Sequence, residues 1–420
     1  MTAILACLVI GWTPVAADGL VCVKEMEIAD LPPGGTAFFA NAETKITTAD
    51  GAIYCAYLDA ERNVRVRKKS ADGEISDGFV HGPVANDPYH MAPVIGVDGA
   101  GHIHITGGMH DSQEWRYFIS TEPGKIDAFE RQEPGSNQYP PGEFVTYPEF
   151  TTDRKGYLYV SSRQGTKNPM LLGGSVARYD HETKTWTSLG AKVGRWHWVV
   201  HHAEPHYYQR WFMRMHFDAG NTLHLAWKVN AVGLAPNFGD GSHIMYAALP
   251  DGETTWRRAD GAEAVGLPLT IGNASLVVQD LDGPELVLYG IGVAPDGRPA
   301  INFRDARGQQ AEGKDKGRIV KWDGEAWRQL EFPREVVIPT LLMADGGGTL
   351  FTHGPGGYVV YLSEDGGETW EVTQIPYDRE YADYHSFDYR HFVETGEARL
   401  AAFFGDEGAI EVWTVRRVEE

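Results

Sequence analysis

The amino-acid sequence predicts an all-β fold, a seven-bladed β-propeller formed as a single domain over residues 18–420. Three observations carry that expectation: a turn-and-strand unit that recurs seven times, hairpin turns of the Asp-box type, and a composition rich in turn formers and aromatics. A single blade cannot bury both of its faces, so seven such units are expected to make one cooperative ring rather than three domains.

The recurring unit is a turn containing Asp and Gly followed by an alternating apolar strand, a hairpin signal. It first appears at Asp50-Gly51 before Ile53-Tyr54-Cys55-Ala56-Tyr57, then at Asp98 to Gly101 before His102-Ile103-His104-Ile105. It returns at Asp153 to Gly156 before Tyr157-Leu158-Tyr159-Val160, and at Asp218 to Gly220 before Leu223-His224-Leu225-Ala226-Trp227. Later copies are Asp296-Gly297, Asp345 to Gly348, and a weaker Glu394 to Gly396 before Leu400. The start-to-start spacings are 48, 55, 65, 78, 49 and 49 residues. The two longest intervals imply loop insertions, and loops on one face of a propeller usually build its site.

Ser363-Glu364-Asp365-Gly366-Gly367-Glu368-Thr369-Trp370 fits the Asp-box pattern S-x-D-x-G-x-T-W, with degenerate versions ending at Trp186, Trp256 and Trp327. Ser70-Ala71-Asp72-Gly73 is a further fragment. These boxes carry fold information rather than chemistry. The 49 Gly, 12 Trp, 19 Tyr and 17 Phe favour many short strands over helices.

Charge and motif content remove other classes. Thirty-seven basic against 58 acidic residues give a net charge of −21, which disfavours nucleic-acid or anionic-membrane binding. Dinucleotide and P-loop glycine motifs are absent, and no stretch reaches the length of a membrane span. Residues Ile4 to Trp12 form an apolar run before Pro14-Val15-Ala16-Ala17, so residues 1–17 read either as a signal peptide or as a first strand. Cys22 and Cys55 are either a bridge or two buried thiols.

Chemistry-bearing residues concentrate in the second and third units. Asp87-Pro88-Tyr89-His90 precedes a strand, and Gly107-Gly108-Met109-His110 follows its partner. An antiparallel pair of this length returns both ends to one edge, which brings His90 and His110 together. The next hairpin does the same for Tyr147, in Thr146-Tyr147-Pro148, and Arg163, in Ser161-Ser162-Arg163-Gln164-Gly165. His102 and His104 lie inside a strand and read as packing residues.

This order of short motifs, joined by Thr255-Trp256-Arg257-Arg258-Ala259-Asp260-Gly261 and Leu267-Pro268, resembles the BNR-repeat propellers that include ulvan lyases and related rhamnosyl-uronate lyases. The likeness runs from about residue 40 to about residue 400. It implies that His90, His110, Tyr147 and Arg163 line a central cleft. Two departures stand out: the Gln164-Gly165-Thr166-Lys167-Asn168 continuation after Arg163, and Met91 after His90.

The expected reaction is β-elimination at a 4-linked uronate. A guanidinium such as Arg163 offsets the carboxylate and the charge that builds beside it. His90 and Tyr147 form the acid and base pair, in either order, with His110 orienting substrate or sharing the proton transfer. His216 and Asn168 are further substrate contacts. The alternatives are a glycoside hydrolase on the same propeller and a non-catalytic glycan binder. A sialidase is disfavoured because its three cleft arginines and Tyr-Glu pair are not recognisable.

Trp196-His197-Trp198 and His201-His202-x-x-x-His206, with Tyr207, Tyr208 and Trp211 nearby, suit sugar stacking or loop packing more than a metal site. The chemistry requires no cofactor, and a structural calcium or zinc ion is left open. Asp383-Tyr384-His385 and Tyr389-Arg390-His391 read mainly as packing in the last unit. Asn273-Ala274-Ser275 is a sequon. The expected partner is an anionic polysaccharide or oligosaccharide, met by a secreted or periplasmic monomer.

Overall fold

A computed structural model describes residues 15–17, 20–31, 44–85, 92–166, 171–201, 207–231, 242–280, 286–294, 297–305, 316–330, 342–343, 350–353, 359–363, 365, 369, 371–376, 379 and 384–417. Along these residues six antiparallel sheets follow one another, each built from consecutive strands: 46–81, 94–131, 145–188, 207–280, 286–329 and 342–374. In the third, the short strand Val200–His201 pairs beside Leu171–Asp180. The first strand of each sheet touches the first strand of the next, and Tyr384–Phe387 returns to Ile46–Ala49, so the sheets form a closed propeller.

The expectation of seven like units is corrected at that closure. Six blades are sequential, whereas the closing sheet is a composite of both ends of the described chain. There Tyr384–Phe387, Ala398–Phe404 and Ala409–Arg417 continue into Leu20–Ile28, with Val15–Ala17 at the edge. Pairing the two ends removes the open edges that a linear stack of blades would leave. Buried charges reinforce the seam: Lys24 Nζ donates to Glu27 and to Glu411, each at 2.8 Å, and Arg379 donates to Glu27 at 2.6 Å. Trp413 Nε1 donates to the second Glu411 oxygen at 3.0 Å.

Among the described residues, the turns at Asp50, Asp98, Asp153 and Asp218 lie between the first and second strands of their sheets, and Asp98, Asp153 and Asp218 are structural. Asp98 Oδ1 accepts from the backbone N–H of Ala100 and His102 at 3.0 and 2.9 Å. Asp153 Oδ1 does the same for Lys155 and Tyr157, both at 2.9 Å, and Asp218 Oδ1 for Thr222 at 2.8 Å. The second oxygen faces the residue six positions on: His104 Nε2 at 3.1 Å, Tyr159 Oη at 3.5 Å, His224 Nε2 at 3.1 Å. With Nε2–H donating to the carboxylate, each histidine's Nδ1 accepts from a tyrosine, Tyr117 and Tyr246 respectively. The next blade then packs a tryptophan on that tyrosine: Trp186 on Tyr117 at 6.0 Å, and Trp327 on Tyr246 at 5.6 Å. His104 is thus a packing residue, and the unit that repeats is an Asp–His–Tyr–Trp chain joining neighbouring blades.

The Asp-box turn is in place as well, with Asp365 accepting from Ser363 Oγ at 2.8 Å and from Thr369 N at 2.9 Å. One α-helix, Tyr389–Thr395, interrupts the β pattern among the described residues. Asp388 caps its start by accepting from His391 N, and Gly396 ends it at φ 73°, a left-handed cap that glycine adopts without Cβ strain. Cys22 and Cys55 are separate buried free thiols, so the bridge reading is set aside.

Candidate functional site

Each hairpin has one end at its Asp-Gly turn and the other on the opposite rim of the ring. His110, Tyr147 and Arg163 all sit on that opposite rim. Arg163 lies near the end of Leu158–Thr166 and pairs in register with Thr146 of Val145–Thr152. Beyond Thr146 the pairing slips before Glu149, a bulge that carries Tyr147 and Pro148. Tyr147 has φ 55°, left-handed backbone that is costly for a bulky residue and concentrates at functional positions. The bulge turns its ring beneath the guanidinium of Arg163, whose Cζ stands 4.9 Å from the ring centroid.

Arg163 is 5% exposed, and a buried cation needs a partner. Asp111 supplies it: Arg163 Nη2 donates to Asp111 Oδ1 at 2.8 Å. Thr146 Oγ donates to the same oxygen at 3.0 Å, while Asp111 N donates back to Thr146 Oγ at 2.8 Å. Arg163 Nε is buried and has no hydrogen-bond partner among the described residues. His110 Nε2 stands 3.8 Å from Asp111 Oδ2. A chain of contacts therefore runs His110, Asp111, Arg163, Tyr147.

Asp111 is the residue that sequence reasoning passed over. Its φ of 47° and its place directly after His110 put a carboxylate where the guanidinium needs one. The available signal was an acidic residue beside a candidate histidine at the rim end of a hairpin.

His90 and Asn168 lie outside the described residues. His216 is not part of the cluster. It is the penultimate residue of the strand Tyr207–Phe217, pairs with His224, and sits beside the Asp218 turn on the other rim. Its neighbours around a small cavity include Thr152, Asp153, Arg154 and Arg390. Burial pushes its imidazole down to about 3, which keeps it neutral. The expectation of His216 as a substrate contact of that cluster is therefore not supported, because it stands two residues before the Asp218 turn.

The tryptophan-histidine stretch forms a packed ladder. Trp196 stacks on Trp198 at 5.8 Å, and Trp198 on His201 at 4.0 Å. His201 Nδ1 is 3.3 Å from the Leu172 carbonyl oxygen. His202 and His206 lie outside the described residues. Among the described residues no group of three or more His, Cys, Asp or Glu could hold a metal ion. Asn273 pins its own loop, accepting from Thr270 N at 2.6 Å. Near the ring axis, Tyr389 and Arg390 line a cavity with Thr44, Thr47, Glu149 and Asp388. No helix among the described residues is long and apolar enough to cross a membrane.

Comparison with solved structures finds the same ring elsewhere. An ulvan lyase of polysaccharide lyase family PL25, solved bound to -[GlcA(1-4)Rha3S]-, is 14% identical with a TM-score of 0.67, over 92% of this chain and 95% of that one. The polysaccharide lyase Uly1 is also 14% identical, with a TM-score of 0.65 over 93% of this chain and 92% of that one. A protein of unknown function from Dyadobacter fermentans is 12% identical, with a TM-score of 0.50 over 95% of this chain and 100% of that one. At such identities the likeness establishes the fold. No curated protein matches the chain. The profile of the BNR repeat-containing family matches residues 52–334, a span that runs from the first blade through the fifth. On that match over most of the ring, the chain belongs to the BNR repeat-containing family.

Proposed function

We propose that the protein is a polysaccharide lyase that cleaves a uronate-containing, rhamnose-rich glycan of the ulvan type by β-elimination at a 4-linked uronate. The observation that carries this reading is the buried Arg163 guanidinium, held between the Asp111 carboxylate and the Tyr147 ring on one rim. The fold shared with two polysaccharide lyases supports the same class.

The reaction removes the proton at carbon 5, breaks the bond from carbon 4 to its glycosidic oxygen, and leaves a double bond between those carbons. The electron pair of the broken bond goes to the leaving oxygen, which takes up a proton. The carboxylate beside carbon 5 gathers charge as the carbon 5 proton departs, and in this reading the Arg163 guanidinium is the cation that offsets it. Asp111 fixes the guanidinium by one Nη, so the uronate meets an oriented edge rather than a free fork. Tyr147 and His90 exchange the two protons, and His110 orients the sugar or shares that transfer. Such polymers lie outside the cytoplasm, which assigns the enzyme to a secreted or periplasmic setting.

The test is incubation of the protein with a panel of uronate polysaccharides while ultraviolet absorbance and sugar ends are followed. Growth of absorbance from an unsaturated uronate is the expected result. Saturated ends without absorbance would make the protein a hydrolase, and binding without new ends would make it a glycan-binding propeller.

A further inference from the structure

Three successive blades carry a bulge in their first strand. In the third blade pairing slips between Thr146 and Glu149, and in the fourth between Gln209 and Met213 of Tyr207–Phe217. In the fifth it slips between Leu288 and Gly290 of Leu286–Val293, which makes Tyr289 the extra residue. One residue adjoins all three bulges. Arg214 directly follows Met213, its Nη1 donates to Glu149 Oε1, and its Nε donates to the Tyr289 carbonyl at 2.8 Å.

The repeat marks this ion pair as an exception. Glu149 and Arg214 each stand four residues before the Asp of their turn, Asp153 and Asp218. The same position holds Ile46, Val94, Gly292 and Leu341 in the other sequential blades. Both charged residues are buried, at 5% and 2% exposed. Taking an ion pair out of water stabilises a fold little more than apolar packing of the same volume would. The contribution of the pair is therefore geometric: it sets how the first strands of two blades align.

We propose that Arg214 is a positioning residue for Tyr147, acting through Glu149; this rests on the lyase reading above, in which Tyr147 handles a proton. Tyr147 holds left-handed backbone at φ 55°, and such strain persists only where the surroundings over-determine it. The bulge is held at both ends. Thr146 Oγ donates to Asp111 of the second blade at 3.0 Å, and Glu149 accepts from Arg214 of the fourth. The next residue is fixed too, since Phe150 N donates to Thr44 Oγ at 3.0 Å. A slip of one residue here would reverse the faces of the strand and carry the Tyr147 ring away from Arg163.

Fluorine NMR and kinetics test this together. In the full chain labelled with fluorotyrosine, the resonance that Tyr147→Phe removes belongs to Tyr147. The double variant Glu149→Leu/Arg214→Met restores the apolar pattern of the other blades and strands neither charge of the pair. It should melt near the parent and displace the Tyr147 resonance. On a uronate polysaccharide it should lower kcat at least ~tenfold with KM changed less than ~twofold. Arg214→Lys keeps the charge but cannot serve Glu149 and Tyr289 together, so it should show both changes in smaller measure. It carries the test should the double variant not fold. Asp98→Ala, which loosens packing at a turn on the other rim, should leave the Tyr147 resonance in place. An unmoved resonance in the Arg214 variants, an equal displacement in Asp98→Ala, or parental kcat in the Arg214 variants of an active enzyme would each overturn the positioning role. Failure of the lyase reading is separate: the unmutated protein then releases no unsaturated product, and the resonance alone decides whether Arg214 positions the Tyr147 ring.

Discussion

Asp111 shows how one side chain sets the terms for its neighbours. Its Oδ1 takes hydrogen bonds from Arg163 and Thr146, so it fixes the guanidinium and the strand end that presents Tyr147. It acts through Arg163 and is a positioning residue. Arg163→Lys keeps the charge but loses the planar donors, and turnover on a uronate polysaccharide should fall at least ~100-fold. Asp111→Asn leaves a buried guanidinium without its counter-charge, so turnover should fall and the melting temperature should drop with it. Initial rates from ultraviolet absorbance, with melting followed in parallel, check both. Full activity in Arg163→Lys would remove Arg163 from the site. Arg163 and Tyr147 were legible in the sequence as two ends of a hairpin. Their contact depended on a bulge, and a one-residue slip in pairing leaves no mark in a run of letters.

At the scale of the element, the Asp–His–Tyr–Trp chain accounts for residues that look catalytic and are not. Asp98 and His104 are buried, hydrogen-bonded to each other, and repeated in kind at Asp218 and His224. An active site has no reason to occur twice at equivalent positions of separate blades. Asp98→Ala strands His104 and two backbone N–H groups, and should cost about 2–3 kcal/mol in chemical denaturation. Asp218→Ala should cost a similar amount. Asp72→Ala, in an exposed turn where the carboxylate accepts from Glu74 N at 3.3 Å, should cost under ~0.5 kcal/mol. Comparable losses at Asp72 and Asp98 would sink the distinction.

The whole ring depends on histidines that stay neutral. Burial pushes His216 down to about 3, and burial with the nearby Arg116 guanidinium pushes His81 down to about 4, from an ordinary 6.5. The unfolded chain binds protons at these groups below about pH 6.5, whereas the native ring resists them. Their contribution is therefore complete above that pH and is lost as pH falls toward about 4 and then about 3. Burial raises the Asp98 and Asp218 carboxyls, but the His104 and His224 hydrogen bonds outweigh it and hold both below the ordinary 3.8. Their stabilisation fades in the same direction. The melting temperature should decline steadily from about pH 6.5 to about pH 4, in one transition because the closing sheet ties both chain ends together. A flat profile across that range would refute the assignment of neutral buried histidines.

The propeller class, the hairpin turns, the Asp-boxes and the packing role of His104 were written in local pattern, because turn chemistry and strand alternation act over a few residues. Tertiary structure decided what local pattern leaves open. The closing sheet pairs Leu20–Ile28 with Ala409–Arg417, strands separated by nearly the whole chain, and only ring geometry brings them together. The helix Tyr389–Thr395 replaced a turn because Asp388 and Gly396 cap it. His216, by contrast, stands two residues before the Asp218 turn, so its place on the turn rim was already legible in the recurring unit. Asp111 became a partner of Arg163 because two adjacent blades meet at the opposite rim, and a buried cation takes the carboxylate that packing brings to it.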